Sequence, residues 1–335
     1  MNNASLKPRT TPDVTRGYLI CLVGIVFWSS TAIFIRYLTI RYGLPALVLA
    51  FWRDLFLFGA LFLALGLFRR DLYRISRADR GFLLAYALVL AVFNSLWTFS
   101  VALNGASVSC VLAYSSAAYT AVLGYWLLSE SLGWVKMGVV LLSLIGCFLV
   151  SGAYDPSTWQ VNGLGIITGL LTGLAFASYS LMGRTAAMRS INPWTAMLYG
   201  FGGATVFILI FNWLASFTNP SLASQNLFWL GNAWTGWLIL ALLAIGPTLA
   251  GFGLYTVSLG YLPASVANLI ATLEPVMTAI LAYFFLGEQL SGVQLAGSAL
   301  IIVSVVVLRV YEGQSNGKAH AYRLPEAPAA ELLDE

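Results

Sequence analysis

The sequence has little charge and almost no histidine. Of its 335 residues only 9% are charged, and the single histidine, His320, lies near the C-terminus. A soluble domain carries roughly 25% charged residues, so this chain has too few polar groups to cover a surface in water. Zinc and non-haem iron sites normally need imidazole or clustered thiolates. We therefore expect no metal site and no cofactor.

Other chemical signals are also scarce. The three cysteines, Cys21, Cys110 and Cys147, stand in apolar segments without metal-ligand spacing, which favours packing roles. No phosphate-binding P-loop pattern is present, which argues against ATP-driven work by this chain. The net charge is +4, and the basic residues form short clusters between apolar stretches. These clusters are typical of membrane topology signals, so we expect no nucleic-acid partner.

What the sequence does contain is long apolar stretches, with 59% hydrophobic residues and a mean hydropathy of +0.84. A helix needs about 20 apolar residues to cross a bilayer. The first stretch is too long for a cleaved signal peptide, and Asn104-Gly105 predicts a turn. Because lipid cannot satisfy an open sheet edge, we predict an all-α integral membrane protein in contact with the lipid bilayer. Its ten transmembrane helices, spans 1 to 10, are predicted at 17–40, 44–67, 81–103, 107–128, 133–152, 163–184, 193–217, 236–258, 264–286 and 292–311.

Lysine and arginine set the expected orientation, because cytoplasmic loops carry an excess of both. With a cytoplasmic N-terminus, 14 of the 17 basic residues fall on the cytoplasmic side, five of them in loop 68–80. We therefore expect a multi-pass protein of the cytoplasmic membrane with both termini inside. Residues 1–16 form the predicted cytoplasmic N-terminal segment, and residues 313–335 a disordered cytoplasmic tail.

The chain repeats itself at an offset of 158 residues. Thr98–Glu130 aligns without a gap to Thr256–Glu288, with about a dozen identities in 33 positions, including Ser107/Ser265 and Glu130/Glu288. This predicts two five-helix repeats, residues 17–152 and 163–311. Five is odd, so the second repeat enters the membrane from the opposite side. Such inverted repeats recur in secondary transporters.

Short motifs resemble the EamA-type branch of the drug/metabolite transporter superfamily over residues 17–311. They are Trp28-Ser29-Ser30 followed by Arg36, Trp52-Arg53, Leu273-Glu274-Pro275-Val276, Leu286-Gly287-Glu288 and, in the first half, Leu128-Ser129-Glu130. The first half has Ser116-Ala117 where the second has Glu274-Pro275. The resemblance implies a ten-helix carrier of metabolites, commonly amino acids or other small polar solutes.

Charged and polar residues near mid-membrane are the candidate site. Charges at a helix centre cost about 2.5–3.5 kcal/mol on insertion scales, so Arg53, Asp54 and Glu274 should face the interior. Arg53 and Asp54 lie about 100° apart on a helix, which favours partners on other helices; Arg53 either pins its helix or contacts solute. The predicted substrate-cavity residues are Trp28, Arg53, Asp54, Asn94, Trp97, Tyr114, Ser116, Tyr119, Tyr255, Asn268, Thr272 and Glu274.

Prolines and carboxyls suggest moving parts. Pro247 and Pro275 are predicted hinges, because proline removes a helix hydrogen bond. Glu274 beside Pro275 is the candidate coupling group that binds and releases a proton, with Arg53 as its cation if spans 2 and 9 approach; the alternative is a packed, protonated residue. Glu130 and Glu288 are predicted caps or gates at helix ends.

Two helix faces carry patterns of their own. Ser265, Asn268 and Thr272 form a polar stripe that either lines a cavity or joins helices, and lining is favoured. Gly165, Gly169 and Gly173 in span 6 predict a close-packing seam. Spans 3, 4, 8 and 9 should line the cavity, with spans 1, 2, 6 and 7 as moving walls.

These features favour a secondary-active transporter of a small-molecule solute, an exporter of amino acids or related metabolites that works by alternating access, with protons as the coupling ion. Other cargo, such as a lipophilic drug or a nucleotide sugar, remains the alternative. A membrane sensor or scaffold and an integral membrane enzyme are the rivals of a different class; without a nucleophile–base or metal constellation we expect no enzyme. The sequence leaves the oligomeric state open.

Overall fold

The computed structural model describes residues 11–156, 163–217, 223–286 and 291–321. Within them, short 3₁₀ turns at Arg70–Tyr73 and Arg77–Asp79 join α3 to α4, and a π-helical turn at Ala244–Thr248 joins α9 to α10. The α-helices are α1 Thr11–Ser29, α2 Thr31–Tyr42, α3 Ala46–Phe68, α4 Arg80–Tyr114, α5 Ser116–Leu128, α6 Trp134–Val150, α7 Gly163–Met188, α8 Pro193–Ala215, α9 Trp234–Leu243, α10 Leu249–Ser258, α11 Ala264–Ala271, α12 Glu274–Leu286 and α13 Gly292–Ala321.

The helices supply the ten predicted spans. Within the described residues, nine segments are long and apolar enough to cross a membrane, and the tenth, Trp134–Val150, is a shorter apolar helix of 17 residues. Span 1 is α1 with α2, span 2 is α3, and spans 3 and 4 come from α4 and α5. Spans 5, 6 and 7 are α6, α7 and α8; span 8 is α9 with α10, span 9 is α11 with α12, and span 10 is α13.

The predicted turn at Asn104-Gly105 falls within the 35-residue element α4, Arg80–Tyr114, which is not one straight helix. The Ser100 hydroxyl donates to the Ser109 hydroxyl at 2.9 Å. In a straight helix these residues would be ~13.5 Å apart along the axis. The chain therefore folds back between them, and α4 supplies both span 3 and the first part of span 4.

The packing of the helices follows the two-repeat symmetry. Exchanging the halves converts span 1 into span 6, span 2 into span 7, and so on. Span 1 packs on span 8, and the symmetry-equivalent pair, span 6 on span 3, is also in contact. Span 1 also packs on span 9, and the equivalent pair, span 6 on span 4, is in contact too. Spans 2 and 8 pair as spans 3 and 7 do, and the pairs 2–7, 4–9 and 5–10 map onto themselves. The fold is thus two inverted five-helix repeats.

Two symmetry-related spans are broken at matching places. In span 4 the helix breaks at Ser115, and in span 9 it breaks at Thr272 and Leu273, which the offset of 158 aligns with Tyr114 and Ser115. At both breaks a hydroxyl donates to a carbonyl three residues back: Ser115 to Leu112 at 2.5 Å, and Thr272 to Leu269 at 2.6 Å. The hydroxyls satisfy backbone groups that the break releases.

The N-terminal end of α1 and the C-terminal part of α13 lie at the same face of the bundle, the terminal face. Arg309 in α13 donates to Thr15 in α1 at 2.6 Å, so the two ends lie together. The loop between α3 and α4 is on the same face, where the Tyr199 hydroxyl donates to the Tyr73 carbonyl at 2.7 Å. Helix α13, predicted to end at residue 311, continues to Ala321; residues 322–335 of the predicted disordered tail lie outside the described residues.

Spans 5 and 10 approach each other through two glycines. A Cβ added at Gly146 would lie 2.9 Å from the Gly297 carbonyl oxygen and 2.6 Å from Ile301, and one added at Gly297 would lie 2.9 Å from the Gly146 carbonyl. Gly138, two turns earlier in the same helix, has nothing within 4 Å of its added Cβ. The backbones can therefore touch only while Gly146 and Gly297 lack side chains.

This contact predicts a difference between two glycine substitutions in α6. Gly146→Leu should lower stability by about 1–3 kcal/mol, since overpacking forces the backbones apart. Gly138→Leu, a matched control, adds the same side chain in open space and should leave the melting temperature close to that of the unmodified protein. Thermal unfolding of the detergent-purified variants by size-exclusion chromatography measures both. Equal melting temperatures would contradict the close contact.

Candidate functional site

A chain of buried polar side chains crosses the interface between the two repeats. Ser116 in α5 donates to the Asn268 side-chain oxygen at 2.8 Å, and the Asn268 amide donates to Ser180 at 3.2 Å. The Ser180 hydroxyl is 2.7 Å from the Tyr255 hydroxyl. All four residues are buried. This interface network links spans 4, 9, 6 and 8, so it joins residues from both halves.

Aromatic rings form one wall beside the interface network. Trp28 in α1 lies 4.3 Å from Phe252, 5.5 Å from Phe176 and 5.6 Å from Tyr255, measured between ring centroids. The backbone can bring Trp28 this close because Gly251 faces it: a Cβ at Gly251 would lie 3.1 Å from the Trp28 Cα. Trp28 thus connects the aromatic wall to the polar chain through Tyr255.

Glu274 lies at the first turn of α12, directly after the break in span 9. Its carboxyl accepts a hydrogen bond from the Tyr114 hydroxyl, and Tyr114 is the last residue of α4 before the break in span 4. The carboxyl and the phenol therefore bridge the two broken helices. A helix N-terminus also favours negative charge at Glu274.

Pro275 begins the helix rather than interrupting it. It is the second residue of α12, where its missing N–H costs nothing. Pro247 lies inside the π-helical turn of span 8, and the Thr248 hydroxyl bonds the Leu243 carbonyl at 2.8 Å. Both predicted hinge residues therefore mark interruptions in a span; their movement stays a prediction.

The polar stripe on span 9 joins helices in this structure. Ser265 donates to Glu130, Asn268 bonds Ser116, and Thr272 lies 2.6 Å from the Ser143 hydroxyl of span 5. Ser265, Asn268 and Thr272 are all buried. All three side chains are bonded to neighbouring helices in this conformation, and their predicted role in lining a cavity stays a prediction.

Arg53 and Asp54 bond each other, which corrects the expectation that both would find partners only on other helices. Arg53 Nε lies 3.2 Å from Asp54 Oδ1, Arg53 Nη2 donates to Asn94 at 2.8 Å, and the Asn94 amide donates to Asp54 at 2.9 Å. The long Arg53 side chain bends back to its neighbour. The three buried residues form a closed triad that pins span 2 to span 3.

The triad also corrects the proposed role of Arg53 as the cation of Glu274. The Arg53 guanidinium is engaged by Asp54 and Asn94, while Glu274 accepts from Tyr114. The expectation failed because it considered only the depth of the charged residues in the membrane and not the distances between their side chains. Asp54 is the nearer carboxylate and neutralises Arg53 first.

The other predicted residues lie close to these groups. Trp97 is half-buried and one turn beyond Asn94 in α4, and Tyr119 is half-buried and one turn beyond Ser116 in α5. The side chain of Arg36 and all of Glu288 lie outside the described residues. The glycine seam of span 6 is confirmed at Gly169, where an added Cβ would lie 2.7 Å from the Leu112 Cβ.

Span 6 contributes residues that the sequence analysis missed. Ser180 joins the interface network, and Phe176 packs edge to face against Trp28 in the aromatic wall. Span 6 had been interpreted only as a moving wall with a glycine seam. The pair Tyr179-Ser180 inside an apolar helix was the available signal, because polar groups in a membrane helix need a partner.

An all-helical membrane bundle of two inverted repeats, with matched helix breaks and polar groups at the interface of the halves, defines a transporter of the inverted-repeat class. Residues 15–152 and 163–310 each match the EamA-like transporter family. The chain belongs to that family.

Individual relatives agree with this assignment. The chain is 27% identical over 241 residues to an uncharacterized transporter of Archaeoglobus fulgidus, which covers 70% of this chain and 77% of the relative. It is 25% identical over 303 residues to the uncharacterized inner membrane transporter YicL of Salmonella typhimurium, covering 88% and 95%. One solved crystal structure superimposes with a TM-score of 0.72 at 16% identity, over 89% of this chain and 97% of that one; it supports the fold.

The closed triad predicts non-additive effects of substitution. Asp54→Asn should lower stability by about 3–5 kcal/mol, because it leaves the buried Arg53 charge uncompensated. The double variant Arg53→Met/Asp54→Asn should recover part of that loss. Thermal unfolding of the single and double variants measures the coupling. Asp71→Asn, which removes an exposed partner of Arg69, is the control and should have little effect; additive losses at Arg53 and Asp54 would contradict the triad.

Proposed function

We propose that this protein is a proton-coupled exporter of amino acids or closely related zwitterionic metabolites that works by alternating access. The observation that carries the proposal is the pair of matched breaks in spans 4 and 9, with Tyr114 and Glu274 bonded across them. In inverted-repeat transporters, discontinuous helices at the interface of the repeats supply the substrate and coupling-ion sites.

The electrostatics of the breaks suit a zwitterion. Each break ends one helix and starts another, so carbonyls at the C-terminus of α4 and of α11 favour a cation, while amides at the N-terminus of α5 and of α12 favour an anion. Glu274 adds a carboxyl that can receive an ammonium group. An α-amino acid carries its ammonium and carboxylate groups on the same carbon atom. It therefore presents both charges close together and suits a site that favours both signs.

The aromatic wall supplies the apolar part of the proposed site. Trp28, Phe176 and Phe252 pack edge to face or tilted, and ligand sites combine apolar surface with a few convergent polar groups. We propose that Ser116, Asn268, Thr272 and Tyr255 change partners when solute enters, with Trp97 and Tyr119 at the edges of the same region. In this conformation the hydrogen bonds of Ser116 to Asn268 and of Ser143 to Thr272 join the two halves.

Coupling is assigned to Glu274. Its described partner, the Tyr114 phenol, is neutral, so the carboxyl is free to exchange a proton against the ammonium of a solute. If one carboxyl can hold either, proton entry and solute exit are linked without any further group. The rest of the site needs only to present Glu274 to each side in turn.

The charge distribution disfavours the rival cargo. A nucleotide sugar carries phosphates, which proteins usually bind with arginine or lysine. Arg53, in span 2, is already neutralised by Asp54 at 3.2 Å. A lipophilic drug would not need the buried polar chain of Ser116, Asn268 and Ser180, whose groups would lose their partners against an apolar ligand.

Solute counterflow in proteoliposomes tests the proposal. Vesicles loaded with single unlabelled amino acids should accumulate the labelled form only for true substrates. We expect accumulation with at least one neutral amino acid and none with phosphorylated sugars. Counterflow by lipophilic cations alone would favour the drug rival, and no counterflow with any class would favour a sensor or scaffold.

Glu274→Gln should separate coupling from exchange. The amide keeps the shape of the protonated carboxyl but cannot release a proton, so net flux driven by a pH gradient should disappear while solute exchange continues. Proteoliposomes with and without an imposed gradient measure both. Tyr114→Phe removes the donated hydrogen bond but leaves the carboxyl, so its flux should fall in rate yet still follow the pH gradient. If net flux in the Gln variant still follows the gradient, Glu274 is not the coupling group.

The terminal face is proposed to be cytoplasmic, on the basis of its excess of arginine. Ser76, in the loop between α3 and α4, and Asn232, in the loop before α9, are both exposed and lie on opposite faces. In a cysteine-free background, Asn232→Cys should react with an impermeant maleimide in intact cells, and Ser76→Cys only in inside-out vesicles. The reverse pattern would invert the topology.

A further inference from the structure

The short loop between spans 8 and 9 lies on the terminal face and joins two helix ends. Helix α10 ends at Ser258 and α11 begins at Ala264, so the loop, residues 259–263, must satisfy the last carbonyls of one helix and the first amides of the other. The last carbonyls of α10 accept from amides of the loop itself. A charged side chain from outside spans 8 and 9 binds at each end of the loop: a guanidinium on the carbonyls just past α10 and a carboxylate on the first amides of α11.

Glu130 satisfies the amide end. Its Oε1 accepts from the Ala264 amide at 2.7 Å, and its Oε2 accepts from the Ser265 amide at 3.2 Å and from the Ser265 hydroxyl. The carboxylate thus caps α11 in the role usually taken by a residue of the same helix. Because Glu130 belongs to the first repeat and α11 to the second, the cap joins the two halves.

The turn after α5 is built to place Glu130 there. Ser129 has φ 54°, in the left-handed region, and the Glu130 amide donates back to the Gly124 carbonyl at 3.0 Å. A Cβ added at Gly124 would lie 2.9 Å from Glu130 Oε2. The carboxylate therefore folds over the end of α5 into space that exists only because residue 124 is glycine.

Arg184 satisfies the carbonyl end. Its Nη1 donates to the Leu259 carbonyl at 2.9 Å and to the Gly260 carbonyl at 3.4 Å, just past the C-terminus of α10. A cation at a helix C-terminus and an anion at a helix N-terminus are both favourable. The loop is therefore held from both ends by charges of the matching sign.

The first repeat also packs directly on this loop. A Cβ added at Gly17 in α1 would lie 2.6 Å from the Tyr261 Cβ and 2.9 Å from Leu262, and the Arg16 guanidinium lies 5.7 Å from the centre of the Tyr261 ring. Leu259 and Leu262 are fully buried. At this face the two repeats are in close contact through residues 259–263.

We propose that Glu130 and Arg184 form a clamp that closes the terminal face of the carrier, and that release of loop 259–263 from this clamp opens it. The proposal rests on the alternating-access function proposed above. The clamp is positional: neither residue needs to touch solute. Its effect is to set the fraction of time that the face is open.

A native cysteine reports on this closure. Cys21 in α1 is fully buried, and its Sγ lies 3.8 Å from the Ala267 carbonyl of α11, one turn deeper than the amides that Glu130 caps. Separation of α11 from α1 at the terminal face would expose this thiol. With Cys110→Ala and Cys147→Ala in the background, Cys21 is the single reactive group.

The test measures Cys21 labelling by an impermeant maleimide in sealed vesicles that present the terminal face to the reagent. Glu130→Gln and Arg184→Gln should each raise the labelling rate about tenfold, the change expected for loss of one charged helix cap. Asp71→Asn and Arg189→Gln are matched controls on the same face, paired with Arg69 and Asp79, and should label as slowly as the parent.

A milder variant keeps the test decisive if either clamp variant fails to fold, which size-exclusion chromatography would show. Ser265→Ala removes the hydroxyl that donates to Glu130 and should raise labelling less than Glu130→Gln. The measurement requires no solute, so a negative transport screen would overturn the proposed function while leaving the clamp intact. Labelling of the folded clamp variants or of Ser265→Ala at the rate of the two controls would overturn the clamp.

Discussion

Every helix end inside a membrane protein must find partners for its free N–H and C=O groups, because lipid offers none. This constraint explains the placement of several polar residues at helix ends. Ser115 and Thr272 donate to carbonyls at the two breaks, Glu130 accepts hydrogen bonds from the first amides of α11, and Arg184 donates to the carbonyls just past the end of α10. A helix can be interrupted only where the sequence supplies such a group.

The breaks in turn determine which parts of the fold can act. A continuous apolar helix has satisfied all its backbone groups and offers nothing to a solute. Spans 1, 4, 8 and 9 are interrupted, and two of these four carry an ionisable side chain beside the interruption: the Tyr114 phenol in span 4 and the Glu274 carboxyl in span 9. The same bonds that permit the interruption also join the repeats, as Ser116 and Asn268 do at 2.8 Å.

The general fold could be predicted because it depends on sequence patterns that are visible along the chain without knowledge of side-chain contacts. Ten apolar stretches, an internal offset of 158 residues and an odd number of spans per repeat are enough for the inverted architecture. The partners of individual side chains could not be predicted, because they depend on rotation about each helix axis. Asp54 was expected to find its partner on another helix, because it lies about 100° from Arg53 around the helix axis, yet the flexible guanidinium reaches back to it at 3.2 Å. Ser180 shows in the sequence as a polar residue that needs a partner, but the sequence does not show that this partner is Asn268, whose amide lies 3.2 Å away.

The two halves differ in sequence directly after the matched helix breaks in spans 4 and 9. Where the second repeat carries Glu274-Pro275, the first carries Ser116-Ala117, so the acid and the imino acid stand on one side of the pseudo-two-fold axis alone. A carrier with identical halves would have two end states of equal free energy, each occupied half the time. With unlike halves the states are no longer degenerate, and a difference of about 1.4 kcal/mol is enough to favour one of them tenfold. In the alternating-access carrier proposed above, sequence divergence between the duplicated halves would thus give the molecule a resting orientation.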